Sequence, residues 1–234
     1  FGGQTGDSRP GEGAVPLSET EERDREAEAA PEEAHADEEE RMRLLKTNIF
    51  SESRELLEIN PDTVGWIKIP DTNIDYPIVQ ADDNEYYLTR DFLKRRNSGG
   101  SIFMDYRNDG KMGDANNILY GHNMKDKSMF QNVVLYKDKE FFDSHRYIFT
   151  YTPEKVQVWE VFLLFVTDTS FDYLLVDFES KREFTEYIHA VWRKAWQTAD
   201  VELTPDDRLL TLSTCSYEYD DARTVLMARL IEEI

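Results

Sequence analysis

The chain holds one cysteine, Cys215, at the end of the run Leu210-Thr211-Leu212-Ser213-Thr214-Cys215. His122 lies far upstream, after Asn117-Ile118-Leu119-Tyr120-Gly121, and Arg223 follows the cysteine across a short polar stretch. Each sits at the edge of a strand-like segment. A thiol beside a proton-transfer partner can attack an amide carbonyl and hold the acyl group as a thioester. A guanidinium stays protonated, so it cannot be the base, but it can hold a carbonyl and stabilise a developing oxyanion. Together the three residue types point to acyl transfer.

Each residue also has an ordinary reading. Most free cysteines are small buried hydrophobes. Around Cys215, however, apolar Leu209–Leu212 gives way abruptly to Ser213-Thr214-Cys215-Ser216 and then to the polar loop Tyr217–Asp221. That places the thiol at a strand end beside solvent. Of the four histidines, His35 lies in an acidic stretch, His145 in the polar turn Asp143-Ser144-His145-Arg146, and His189 within a helical pattern. Only His122 follows an apolar strand and a glycine, Gly121, which lets the chain turn sharply and present the ring. Arg223, ahead of apolar Thr224–Ala228, has a surface ion pair with Asp220 or Asp221 as its ordinary role. A metal centre is not expected, because one Cys and four scattered His lack paired-ligand spacing. Asp105, Asp109 and Asp114 do not match a calcium-loop spacing either. A papain-like hydrolase fits poorly, since there the cysteine precedes the histidine in the chain.

The elements that must position these groups are mainly strands. Alternation and β-branched runs predict strands at Val64–Ile69, Ile74–Val79, Ser101–Met104, Asn117–Tyr120, Tyr147–Tyr151, Val156–Val166, Arg208–Thr214 and Thr224–Ile231. Asp83–Phe92 reads as short helical or irregular chain, and Ser128–Tyr136 as a short helix that Ser128 could cap. Glu179–Trp196 is the clearest helix of the domain, with Phe184, Ile188, Val191, Trp192 and Ala195 as its apolar stripe. About eight strands with few helices argue for a closed β-barrel.

Ahead of this lie a helical appendage at 41–62 and a spacer at 1–40. The spacer has 14 Asp and Glu against Arg9, Arg23 and Arg25, so it carries −11 of the net −21 and leaves −10 to the rest. Such composition cannot bury enough surface to order itself, so a disordered or partly helical spacer is expected. The acidic remainder argues against nucleic-acid binding, which needs cations against phosphate. A lone cysteine excludes a disulfide within the chain. No run reaches the roughly 18–20 apolar residues of a membrane helix. The start at Phe1 suggests a fragment whose natural N-terminus lies upstream.

Residues 41–234 resemble the sortase family, and class B sortases in particular. The resemblance is carried by TLSTC at 211–215 with an arginine opening the next strand, by ILYGHNMKDKSMF at 118–130, and by the long helix between two late strands. It implies a mainly β fold: an eight-stranded sortase β-barrel over 63–234 with N-terminal helices and a long helix in the connection between the strands at Val156–Val166 and Arg208–Thr214, the family's β6/β7 connection. It implies a cysteine transpeptidase without cofactor or metal. Cys215 would cleave the C-terminal sorting signal of a secreted protein after Thr. His122 would move the protons, and Arg223 would hold the signal and the oxyanion. Asn84 and Leu88 would line one side of the signal groove, Thr169 and Tyr173 the other, and Ser213 would bond the signal beside the nucleophile. The acceptor would be the amine of a peptidoglycan precursor, with a pilin lysine or a non-catalytic signal-binding barrel as the alternatives. The intact trio argues against the last. The resemblance also implies an enzyme on the outer face of the cell membrane, held by an N-terminal anchor that this chain does not contain.

Overall fold

The computed structural model describes residues 40–46, 50–215 and 221–234. The expected acidic spacer and the polar loop after the cysteine lie almost wholly outside them. The chain divides into two units, residues 1–45 and 46–234. In the first, the described residues are helical. The second carries the strands.

These are β1 (Thr63–Lys68), β2 (Asp75–Val79), β3 (Ile102–Met104), β4 (Asn116–Tyr120), β5 (Tyr147–Tyr151), β6 (Val156–Thr167), β7 (Ala195–Thr198), β8 (Leu209–Cys215) and β9 (Arg223–Glu233). They pair in the order β5-β1-β2-β3-β4-β8-β9-β6, and β6 returns to β5, so eight strands close into a barrel. The helices are α1 (Phe50–Ile59), α2 (Gln131–Leu135), α3 (Lys139–Ser144) and α4 (Lys181–Trp192), and Tyr86–Thr89 forms one 3-10 turn.

Burial explains the strand pattern. β1 alternates buried and half-buried residues, as a strand with one face on the core should. In β6, β8 and β9 the apolar residues run almost continuously, because both faces are covered. Leu119, Trp159, Leu164, Leu212 and Leu226 fill the barrel interior. Leu163, Phe165, Leu209, Val225 and Met227 point outward and pack under the β6–β7 connection and α4 through Tyr173, Phe184, Ile188 and Val191. Each large side chain buried this way contributes on the order of 1.5–3 kcal/mol.

Three local expectations are corrected. The helix predicted to run to Trp196 stops at Trp192, and Ala195–Thr198 is β7. Ala195 continues the helical stripe, but residues 195–198 also alternate, and β6 has an unpaired edge for them. β5 occupies that edge along Val156–Glu160, and β7 takes it along Leu163–Phe165. Ser180 caps the true start of α4, accepting from the Glu183 N–H at 3.2 Å. Ser128 caps no helix; its hydroxyl donates to Asp126 at 2.6 Å, and α2 begins at Gln131. The polar turn around His145 follows a short helix, α3, that the pattern did not announce.

Candidate active site

Three adjacent strands bring the trio together. β8 and β9 are antiparallel with Cys215 directly opposite Arg223. β4 runs parallel to β8, with Tyr120 opposite Ser213. The Gly121 N–H continues that ladder to the Ser213 carbonyl at 3.3 Å. His122 follows just past the end of β4, and it lines the same cleft as Cys215. Cys215 and Ser213 share the outer face of the barrel wall, since alternate residues of a strand face the same way.

That face floors a cleft of about 460 Å³, lined by all eight residues singled out above: Asn84, Leu88, His122, Thr169, Tyr173, Ser213, Cys215 and Arg223. One wall is the irregular segment around the 3-10 turn, carrying Asn84 and Leu88. The other is the start of the β6–β7 connection, carrying Thr169 at the exposed rim and Tyr173 buried below. Buried polar contacts moor this second wall. The Tyr187 hydroxyl of α4 donates to the Tyr173 carbonyl at 2.9 Å, and the Asn116 side chain donates to the Leu175 carbonyl at 2.7 Å. Tyr173 and Ser213 share a hydrogen bond of 2.8 Å across the cleft floor. Burial pushes the Tyr173 phenol up, so it remains a neutral partner.

His122 Nε2 lies 2.7 Å from the Leu88 carbonyl oxygen. A carbonyl only accepts, so Nε2 carries the proton in the neutral ring and Nδ1 is the unprotonated nitrogen. Leu88 thus has two roles: its side chain lines the cleft, and its backbone sets the imidazole tautomer. Arg223 is braced at one end, its Nη1 donating to the carbonyls of Asp221 at 3.1 Å and Ala222 at 3.0 Å. Nε and Nη2 have no hydrogen-bond partner among the described residues.

Gly121 is needed for room rather than for a turn. Its backbone is not in the left-handed region. A Cβ here would stand 2.5 Å from Ile102 Cδ1 and 2.7 Å from the Phe130 ring. Gly121→Ala should therefore push the His122 backbone outward. We expect a loss of about 1–3 kcal/mol in stability from overpacking and about 100-fold in turnover from the misplaced ring. Thermal melting and peptide-cleavage assays on the purified variant check both.

Sequence reasoning did not single out the remaining lining residues. Phe103 and Tyr120, with ring centroids 5.1 Å apart, floor the cleft beside His122, and Phe171 and Leu174 belong to the far wall. Tyr120 had a legible signal: it precedes His122 by two and so shares its face. Asp105, weighed above only as a calcium ligand, lies behind the first wall. It accepts from Arg107 Nε and Nη2 at 2.8 Å each, Arg107 N at 3.0 Å, Tyr120 Oη at 2.7 Å and Asn84 Nδ2 at 3.0 Å. Asp109 and Asp114 instead accept from their own turn. Among the described residues no cluster of His, Cys, Asp and Glu is set to hold a metal.

Burial works against ionisation of Asp105, but the bonds from Arg107, Tyr120 and Asn84 outweigh it and hold its carboxyl below the usual range near 3.8. A carboxylate depressed in the folded state stabilises fully above its unfolded pKa, and that contribution is lost as pH falls through the folded value. The melting temperature of the chain should therefore drop from about pH 5 downward. Asp105→Asn should melt lower at pH 7 yet show a shallower acid limb.

A closed eight-stranded barrel with this cleft across its outer wall is the architecture of the sortases, and the chain belongs to that family: the family model for the Sortase domain matches residues 67–231. Within the family it is a class B member. It is 40% identical to Sortase B of Listeria monocytogenes over 186 residues, covering 78% of this chain and 75% of that protein. The structure of sortase B from B. anthracis in complex with AAEK1 is 43% identical, with a TM-score of 0.70 over 76% of this chain and 83% of that one. A Staphylococcus aureus sortase B–substrate complex is 33% identical, with a TM-score of 0.74 over 89% of this chain and 98% of that one. Among the described residues no helix is long and apolar enough to cross a membrane.

Proposed function

We propose that this transpeptidase works through Cys215 on the C-terminal sorting signal of a secreted protein, cleaving after Thr and passing the protein to an amine of a cell-wall precursor. The observation that carries the reading is the lining of one open cleft by His122, Cys215 and Arg223, the last two paired across β8 and β9. The Cys215 thiol passes its proton to His122 Nδ1 as the sulfur bonds to the Thr carbonyl carbon, and the negative charge moves to the oxygen beside the Arg223 guanidinium. The C–N bond then breaks, and His122 gives a proton to the leaving amine. The thioester is resolved by an incoming amine, which loses its proton to His122. The Leu88 carbonyl keeps Nε2 protonated throughout, so these transfers use Nδ1. Asn84, Leu88, Thr169, Tyr173 and Ser213 form the walls that hold the signal extended. The enzyme acts on the outer face of the membrane of a Gram-positive cell, held by an N-terminal anchor, with wall anchoring as the outcome.

The test is intact-mass spectrometry of the protein after incubation with a small library of Thr-containing sorting peptides. The expected result is an added mass equal to a peptide acyl group ending at Thr, removed by hydroxylamine. Prior alkylation of the thiol should prevent it. No adduct and no cleavage with any peptide would overturn the reading.

A further inference from the structure

Asp105 is the one fully buried carboxylate at the cleft among the described residues, with a side chain that has no exposure. Three of its five hydrogen bonds come from Arg107; the other two tie down groups that face the cleft. The Asn84 amide is the instructive one. An asparagine side chain can present either its oxygen or its NH2 to a given neighbour by turning over. Here two neighbours remove the choice. Asp105 Oδ2 can only accept, and it takes one amide hydrogen at 3.0 Å; the Tyr106 N–H can only donate, and it bonds Oδ1 at 3.0 Å. Turned over, the amide would set its oxygen against the carboxylate and its NH2 against the Tyr106 N–H, which would lose its acceptor. The second amide hydrogen meets no partner among the described residues, and Asn84 lines the cleft. The two tyrosine hydroxyls of the cleft lining are already engaged, Tyr120 with Asp105 and Tyr173 with Ser213.

We propose that Asp105 is a positioning residue for substrate selection: it locks Asn84 so that a free amide N–H is offered to a carbonyl oxygen of the bound peptide. The inference rests on the reading of the cleft as a peptide site. The peptide class it selects is one with a carbonyl acceptor, from side chain or backbone, facing the Asn84 wall.

A double-mutant cycle tests this, using the peptide cleaved best in the adduct screen. Asn84→Ala and Asp105→Asn should each lower kcat/KM about tenfold, the effect of one lost hydrogen bond, with the loss falling on KM. The double variant should be no worse than Asn84→Ala alone, because Asp105 acts through the amide. Arg107→Met, at a position 41% exposed, should give a smaller loss that also vanishes in the Asn84→Ala background. It carries the cycle if Asp105→Asn does not fold. A full tenfold loss from Asp105→Asn on top of Asn84→Ala, or undiminished additivity of Arg107→Met, overturns the proposal and leaves the peptide site standing. No effect of Asn84→Ala would remove the peptide subsite itself, and the proposal with it.

Discussion

Cys215→Ala is expected to abolish transfer, with a loss on the order of 10⁴-fold or more, and to fold as the wild type does. The size follows from the chemistry: removing a covalent nucleophile removes the only route to the intermediate, and such losses are the largest known for single catalytic groups. The retained fold follows from the site. Cys215 is only half-buried, at the mouth end of β8, and the residues that hold β8 in the barrel are Leu210 and Leu212 inside and Leu209 outside. Trimming one sulfur there opens no core cavity. The variant should still bind the sorting peptide, since the walls around Asn84, Leu88, Thr169 and Tyr173 are untouched. Calorimetry on the variant, beside mass spectrometry for the missing adduct, checks both halves. Turnover near the wild-type rate would remove Cys215 from the mechanism. Loss of peptide affinity together with turnover would mean the thiol holds the substrate as well.

How far this site could be read before folding depends on how local each signal was. Strands β6, β8 and β9 were legible because both their faces are buried, which writes long apolar, β-branched runs into the chain. The C-terminal end of α4 was not. Ala195 satisfies helical spacing from Val191 and strand alternation toward Gln197 equally well, and only the unpaired edge of β6 decides between them. Cys215 and Arg223 were legible as the two ends of one hairpin, where pairing follows from adjacency. The relation of His122 to Cys215 depends on a parallel pairing between distant segments, which no local pattern states. Gly121 was noticed for the wrong property: the chain needs its missing side chain, pressed on Phe130 and Ile102, more than its torsional freedom. The Asp105 cluster was opaque for a similar reason. Asn84, Asp105 and Tyr120 lie on three segments that meet only once the barrel closes, and a carboxylate among other aspartates reads as a loop residue until its neighbours are seen.

Arg223→Lys is expected to lower kcat/KM by about 100- to 1000-fold, the range for loss of one oxyanion donor, although charge is conserved. The brace on the guanidinium explains why. Nη1 is committed to the carbonyls of Asp221 and Ala222, which braces the group at one end while the residue lines the cleft. An arginine can satisfy backbone and substrate together because its donors are spread over a rigid fork. A lysine has a single ammonium on a flexible stem. Placed here, it would be drawn to the same two carbonyls, and any shift toward the substrate would leave them unsatisfied. The fold should survive, because the neighbouring strand residues Val225 and Met227 supply the packing of β9. The loss should appear in kcat more than in KM, since the oxyanion exists only as the tetrahedral species forms. Pre-steady-state rates of adduct formation with wild type and variant separate the two. A KM defect with kcat preserved would mean that Arg223 holds the resting peptide rather than the developing charge, and a near-normal rate would reduce it to a surface cation braced by its own backbone.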